Sequence, residues 1–231
     1  MVPRFDPNLI TGPSHSLDML PVVEDHPIVR HGYRALFDST RELNVIGEAG
    51  TAEEALSTLE SVPVPDLLVV DLQLTGMSGL ELIKRITASD SSIRILVVSV
   101  YEETLCGERT LQAGAHGYVG KWESGRVIIE AAKTVLAGRY YLSDRLERRV
   151  FSQYAGRGGR TEGPIQRMTD RELEVFEKIG LGLSTGEIGD RLHISMKTVQ
   201  THRKSIQEKL GIDTIEKLIR KAVLWTDQTS R

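Results

Sequence analysis

The 231-residue chain has one cysteine, Cys106. No disulfide can therefore close within it, which fits a reducing cytosol and makes a cytoplasmic location the expectation. It has no apolar run near the ~20 residues that a membrane-spanning helix needs, so no membrane role is expected. Residues 1–17 hold Pro3, Pro7 and Pro13 but no apolar stretch, and they read as a loose tail rather than a secretory signal. A strong excess of positive charge is also missing. The net charge is −3 at pH 7, so composition alone makes no case for a nucleic-acid partner. There is no internal repeat.

What charge there is lies unevenly. Residues 1–148 hold 14 Lys and Arg against 21 Asp and Glu, net −7, while residues 166–231 hold 12 against 10, net +2. An acidic front and a mildly basic back suggest two domains with different partners. Between them "YAGRGGRTEGP", 154–164, is rich in glycine and charge and has no apolar periodicity, so a linker is expected over 141–165.

The front half alternates short apolar runs with helical patterns. The runs are "MLPVV" (19–23), "LNVIGEA" (43–49), "LLVV" (67–70), "IRILVVSV" (93–100) and "GYVG" (117–120). Between and after them, segments near 27–38, 52–61, 79–88, 104–113 and 124–137 space apolar residues by three and four. Five such β-α units predict an α/β fold, a doubly wound five-stranded parallel sheet with helices on both faces. Sheets of this kind bind ligands at the carboxyl ends of their strands.

Polar residues follow those runs. Glu24 and Asp25 follow the first, Asp71 the third, Ser99 closes the fourth, and Lys121 follows the fifth. A carboxylate at the end of a strand buried on both faces is costly unless it has a task or a partner. Asp71 is the best-placed nucleophile, since a carboxylate can accept a phosphoryl group as an acyl phosphate. Glu24 and Asp25 beside it call for a cation, and hard oxygen ligands suit Mg²⁺. Lys121 can neutralise the transferring phosphoryl oxygens and Ser99 can hydrogen-bond one of them. Taken singly, Asp71 is also a plausible turn residue and Ser99 an ordinary structural one. Their common rim carries the argument.

With "VVEDHPIVRHGYRALF", "DLLVVDLQLTGMSGLEL", "ILVVSVYEE" and "GAHGYVGK", residues 18–140 resemble a response-regulator receiver domain. The resemblance implies Asp71 as phosphoacceptor, Ser99 as hydroxyl switch and Lys121 as the invariant ammonium. It further implies Tyr118 as aromatic switch and a metal held by Glu24, Asp25, Asp71 and the backbone carbonyl of Gln73. His26 and His116 read as structural, and Met77 as packing under the loop. Two residues depart from the pattern. Pro21 lies inside a strand the family places mid-sheet, where a missing N–H predicts a bulge or a shifted register. Thr75 stands where the family usually has proline.

The back half reads as helical throughout. "TDRE" (169–172) and "STGE" (184–187) are capping boxes, and Ser195 can cap a third helix. Helices are expected near 170–179, 185–192, 196–210 and 214–224. The second and third are separated by "HIS" alone, a helix-turn-helix spacing. On the third, Val199, Ile206 and Leu210 share an apolar face, while Lys197, Gln200, Thr201 and Lys204 share the opposite one. Gln can pair with adenine, Lys with guanine, and the Thr methyl with thymine. Thr198 belongs to the same exposed turn, and His202, Arg203 and Lys209 suit phosphates. A charged helix face alone is usually just solvated. "MTDRELEVFEKIGLG", "STGEIGDRLHIS" and "KTVQTHRKSIQEKLGI" decide for DNA, because residues 166–226 resemble the DNA-binding domain of the LuxR/FixJ class. In that class Gln200, Thr201 and Lys204 occupy base-facing positions and the last helix is a dimer face. Gly186 and Gly189 depart from the pattern, and two glycines in one helix cost roughly 1 kcal/mol each against alanine.

Together the two resemblances imply a NarL/FixJ-type transcriptional response regulator: a receiver over 18–140 and an all-α, four-helix DNA-binding domain over 166–231. They imply a sensor histidine kinase as phosphoryl donor, double-stranded DNA with two half-sites, a homodimer on activation, and RNA polymerase as a further partner. Two rival classes exist. One is a DNA-binding protein indifferent to phosphate. The other is a Mg²⁺-dependent phosphatase using the same acyl-phosphate chemistry, against which Gln73 argues, because such enzymes carry a second aspartate there.

Overall fold

The computed structural model describes residues 18–61, 63–90, 92–101, 103–154 and 163–229. The tail expected over 1–17 and most of the glycine-rich run near 154–164 lie outside the described residues. The chain divides into two compact units, the first ending at Val150 and the second beginning at Phe151.

In the first unit five strands alternate with five helices. The strands are β1 (Asp18–Val23), β2 (Leu43–Ala49), β3 (Leu67–Val70), β4 (Arg94–Ser99) and β5 (Gly117–Gly120). The helices are α1 (Pro27–Asp38), α2 (Ala52–Leu59), α3 (Gly79–Ser89), α4 (Glu103–Ala113) and α5 (Gly125–Leu136). All strand pairs are parallel, in the order β2-β1-β3-β4-β5, as the alternation predicts. β3 and β5 are buried at every position because helices cover both faces. Leu20, Val22, Leu67, Val69, Leu96, Val98 and Val119 form one face with Phe37 of α1 and Ile128, Ala132 and Val135 of α5.

Pro21 does distort β1, and the distortion is local. Leu20 pairs with Val45 and Pro21 with Gly47, so β2 takes up one extra residue, Ile46, at this point. The register then resumes as Val22 with Glu48 and Val23 with Ala49. Beyond it, the Glu24 N–H donates to the Ala49 carbonyl at 3.0 Å. The bulge accommodates the missing N–H three residues upstream and leaves Glu24 in place.

The segment 141–165, expected as linker, holds a helix, α6 (Asp144–Tyr154). Tyr141 pairs with Gly117 at the β5 edge. Paired and helical structure thus continues from α5 to the end of the first unit. The sequence did not show this helix because α6 has few apolar residues and its three arginines, Asp144 and Glu147 read as solvent-facing.

In the second unit, α7 (Asp170–Gly180), α8 (Thr185–Leu192), α9 (Met196–Leu210) and α10 (Ile215–Thr229) pack around Phe176, Ile188, Val199, Ile206 and Leu218. Both capping boxes form, at Thr169 with Glu172 and at Ser184 with Glu187, and Ser195 caps α9 through the Thr198 N–H. Gly189 has a packing reason: a Cβ there would lie 2.7 Å from the Ile194 carbonyl in the α8–α9 turn. The helix-propensity cost is offset by a close helix-turn-helix approach. α10 divides as its pattern suggests. Leu218, Ala222 and Trp225 are buried, while Ile215, Ile219 and Val223 form an exposed stripe.

Candidate functional site

Strand register builds the pocket. The Asp71 N–H donates to the Val23 carbonyl at 2.9 Å and the Lys121 N–H to the Ser99 carbonyl at 2.8 Å. These bonds set Glu24, Asp71, Ser99 and Lys121 at one rim of the sheet. Glu24 and Ser99 are fully buried and Asp71 is 2% exposed. Buried carboxylates need partners, and the partner is Lys121. Its Nζ lies 2.6 Å from Glu24 Oε2 and 2.8 Å from Asp71 Oδ2.

Two effects compete at Asp71. Burial pushes its carboxyl up, to about 6, against the pull of Lys121 and a backbone hydrogen bond from Gln73. At Lys121, burial alone would favour loss of the proton, but the Asp71 and Glu24 carboxylates outweigh it and hold the ammonium above its ordinary value. The lysine is thus a fixed positive charge between the two carboxylates.

Two buried oxygens, Asp71 Oδ1 and Asp25 Oδ1, accept no hydrogen bond. His26 Nδ1 lies 2.7 Å from Asp25 Oδ1 as a charge contact lacking hydrogen-bond geometry, and 3.1 Å from Glu24 Oε1. Glu24, Asp25 and His26 offer ligand atoms within 4.8 Å of one another. Carboxylate oxygens that accept no hydrogen bond, on Asp71 and on Asp25, fit a hard divalent cation. Asp25 is also positioned from across the pocket, because the Thr75 hydroxyl donates to its Oδ2 at 3.1 Å. His26 and Thr75 were not foreseen at the pocket. His26 directly follows the acidic pair, and Thr75 stood out only as a missing proline.

Ser99 and Tyr118 come together. The Tyr101 N–H donates to Ser99 Oγ at 3.2 Å, and the Tyr118 hydroxyl donates to the Tyr101 carbonyl at 2.9 Å. Tyr118 is 2% exposed, and burial raises its phenol well above the usual value. Both residues therefore hold the same turn after β4.

On α9, Lys197, Thr198, Gln200, Thr201 and Lys204 are exposed, and His202, Arg203 and Lys209 are half-buried. The polar stripe faces outward as the periodicity predicts. Four of these residues are engaged within the unit, Thr198 through a 2.8 Å hydrogen bond between its hydroxyl and that of Ser195. Thr201 Oγ1 donates to the Lys197 carbonyl at 3.0 Å, Arg203 donates to Thr185 Oγ1, and Lys209 donates to Glu172. Glu172 also accepts from Ser205 and the Thr169 N–H. Burial would raise the Glu172 carboxyl, but these donors outweigh it and hold it at about 2. The Lys209 ammonium is thus tied to the α7 cap.

Residues 20–133 match the family described as "Response regulator receiver domain", and residues 166–222 the family "Bacterial regulatory proteins, luxR family". The chain is 31% identical to the response regulator UvrY of Escherichia coli K12 over 192 residues, which cover 83% of this chain and 87% of that protein. It is 31% identical to the response regulator GacA of Pseudomonas aeruginosa, over 83% of this chain and 88% of that one. Among solved structures it is similar to RcsB of Salmonella enterica serovar Typhimurium bound to promoter rprA with phosphomimetic BeF3−. There the TM-score is 0.63 and the identity 24%, with 89% of this chain and 98% of that chain covered. A LuxR-family two-component response regulator from Aurantimonas sp. SI85-9A1 aligns at TM-score 0.55 and 32% identity, over 61% of this chain and 99% of that one.

Proposed function

The chain belongs to the NarL/FixJ family of two-component response regulators, with a receiver and a LuxR-type DNA-binding domain that regulate transcription, and from that premise we propose that Asp71 is the residue phosphorylated. The observation that carries this is the asymmetry of its carboxylate. Oδ2 is held by Lys121, while Oδ1 is buried and unpartnered. Oδ1 attacks the phosphorus of a sensor histidine kinase's phosphoimidazole. A P–O bond forms, the P–N bond breaks, and the leaving imidazole takes a proton from solvent. Lys121 neutralises one phosphoryl oxygen and the Ser99 hydroxyl donates to another. Glu24, Asp25, Asp71 and the Gln73 backbone carbonyl would hold Mg²⁺. When bound, the ion lowers the repulsion between the incoming phosphoryl group and the acidic pair.

Once modified, the receiver promotes pairing of two chains, and the dimer binds two half-sites of double-stranded DNA. Gln200, Thr201 and Lys204 meet base edges, Lys197 and Thr198 support them, and Arg203 and His202 meet phosphates. The exposed α10 stripe of Ile215, Ile219 and Val223 is the pairing face. RNA polymerase is the partner through which DNA binding acts, and the protein works in the cytoplasm. The bulge at Pro21 closes before Glu24, which supports a receiver that responds to phosphate over one indifferent to it.

The test is mass spectrometry after incubation with acetyl phosphate and Mg²⁺. One phosphate should appear on the native chain and none on Asp71→Asn. A phosphate on that variant would overturn the assignment.

A further inference from the structure

The stretch after α5 does not leave the receiver where the five-unit fold ends. The Tyr118 N–H donates to the Tyr141 carbonyl and the Tyr141 N–H to the His116 carbonyl, both at 3.0 Å. The Tyr140 ring stacks on His116 with centroids 5.7 Å apart. The Ser143 N–H then donates to Glu103 Oε1 on the first turn of α4 at 2.9 Å, and Ser143 Oγ accepts from the Leu146 N–H at 3.2 Å, capping α6. Leu146 is 1% exposed. It fills a notch that exists because residue 107 is glycine: a Cβ there would lie 2.6 Å from Leu146 Cδ2. Arg149 Nε pairs with Glu108 Oε2 at 3.0 Å.

Residues 140–149 therefore form a strap across the β5 edge and α4, and its two anchors are attached to the switch. One anchor is the backbone of Tyr118, whose hydroxyl holds the Tyr101 carbonyl. The other is Glu103, two residues beyond Tyr101, whose N–H is held by Ser99 Oγ. We propose that this strap is the output device of the receiver: recruitment of Ser99 to a phosphoryl group on Asp71 releases Ser143 and Leu146 from α4. The mechanism is a competition for one oxygen. Ser99 Oγ now braces the Tyr101 N–H. Turning toward the phosphoryl group removes that brace, and the turn carrying Glu103 moves with it. Loss of the Glu103 acceptor frees the Ser143 N–H, and with it the residue that caps α6. Release of the strap frees the chain that enters the second unit and leaves the α4 face open.

This rests on the reading of Asp71 as phosphoacceptor, and the experiment separates the two. Hydrogen exchange is followed on the full chain with and without beryllofluoride and Mg²⁺, comparing the peptide around Asp71 with the peptide over 143–150. Both should respond: the Asp71 loop gains protection, while Ser143 to Val150 exchange about tenfold faster, the loss expected from one charge-assisted hydrogen bond. In Glu103→Ala the 143–150 peptide should exchange fast without beryllofluoride and show no further change with it. Glu103→Gln, which keeps an acceptor, should behave as the native chain. If Glu103→Ala fails to fold, Arg149→Ala serves in its place: loss of the half-buried pair with Glu108 loosens the strap from its far end, so the 143–150 peptide should exchange faster without beryllofluoride and the further increase with it should shrink. A response at Asp71 with an unchanged strap would overturn the coupling and leave Asp71 standing. Absence of any response at Asp71 would overturn both. Faster strap exchange that is additive with Glu103→Ala would show that the release runs by another route, against the proposal.

Discussion

Lys121 Nζ sits 2.8 Å from one oxygen of Asp71, and the other oxygen of the same carboxylate is buried with no hydrogen bond. The arrangement holds the carboxylate by one atom and leaves the other without a hydrogen bond, at the expense of stability. The folded carboxyl titrates at about 6, above its ordinary 3.8, so the folded state binds this proton more tightly than the unfolded one. Stability from this group is full below about 3.8 and is lost as pH rises through 6. Asp71→Asn, which carries no charge to bury, should therefore stabilise the receiver at pH 7 by about 1–3 kcal/mol. Urea denaturation should show this gain at pH 7 and little of it at pH 4. An equal gain at both would mean that burial of the charge is not its source.

Removing the lysine should act in the opposite sense. Lys121→Met would leave Glu24 and Asp71 buried without their cation. Loss of one partner from a buried ion pair costs about 3–5 kcal/mol. Protonation of Asp71 offsets part of this at low pH, so the loss should shrink between pH 7 and pH 5. Thermal unfolding of the variant at both values checks the sign.

Thr75 takes a role that a proline could not. Its hydroxyl fixes Asp25 Oδ2, while Oδ1 accepts no hydrogen bond. Thr75→Val keeps the shape and removes the donor. Mg²⁺ affinity measured by calorimetry should fall by roughly tenfold, the low end for one hydrogen bond to a charged group. Thr75→Ser should retain it. Unchanged affinity in Thr75→Val would leave the contact without a role in the cation site.

Asp71 and Lys121 were legible in the sequence because strand period and strand ends are written locally. An apolar run fixes the strand, and the residue after it must sit on the rim. The Pro21 bulge was legible for a similar reason, since a missing N–H has to be absorbed somewhere in the ladder. Thr75 with Asp25, Glu103 with Ser143 and Gly107 with Leu146 were not. Each joins residues about 40 to 50 positions apart through side chains, and no local period records such a contact. Lys209 shows the converse. By spacing it belonged with the DNA-facing cations, but Glu172, on a different helix, claims it. Helical phase says which way a side chain points, and says nothing of a partner brought there by another helix.

That pairing separates two lysines five positions apart. Lys204 is exposed on the α9 stripe, whereas Lys209 is bound to a buried glutamate held at about 2, below its ordinary 4.5. Lys204→Ala should relax sequence preference, with a cost on the order of 1–3 kcal/mol at one base position and a fold that melts as before. Lys209→Ala should instead destabilise the DNA-binding unit and leave the salt dependence of DNA binding nearly unchanged, because it contributes no free charge to phosphates. The sign of the pH effect follows from Glu172. A depressed folded value means stability that is present above about 4.5 and is lost as pH falls toward 2. The native unit should therefore weaken steeply over that range, while Glu172→Gln and Lys209→Ala should start weaker and fall less. Trp225, packed on Phe176 with ring centroids 5.5 Å apart in the same unit, gives a fluorescence signal for following it. A Lys209→Ala chain as stable as the native one, with a flatter salt dependence, would return Lys209 to the phosphate-binding set.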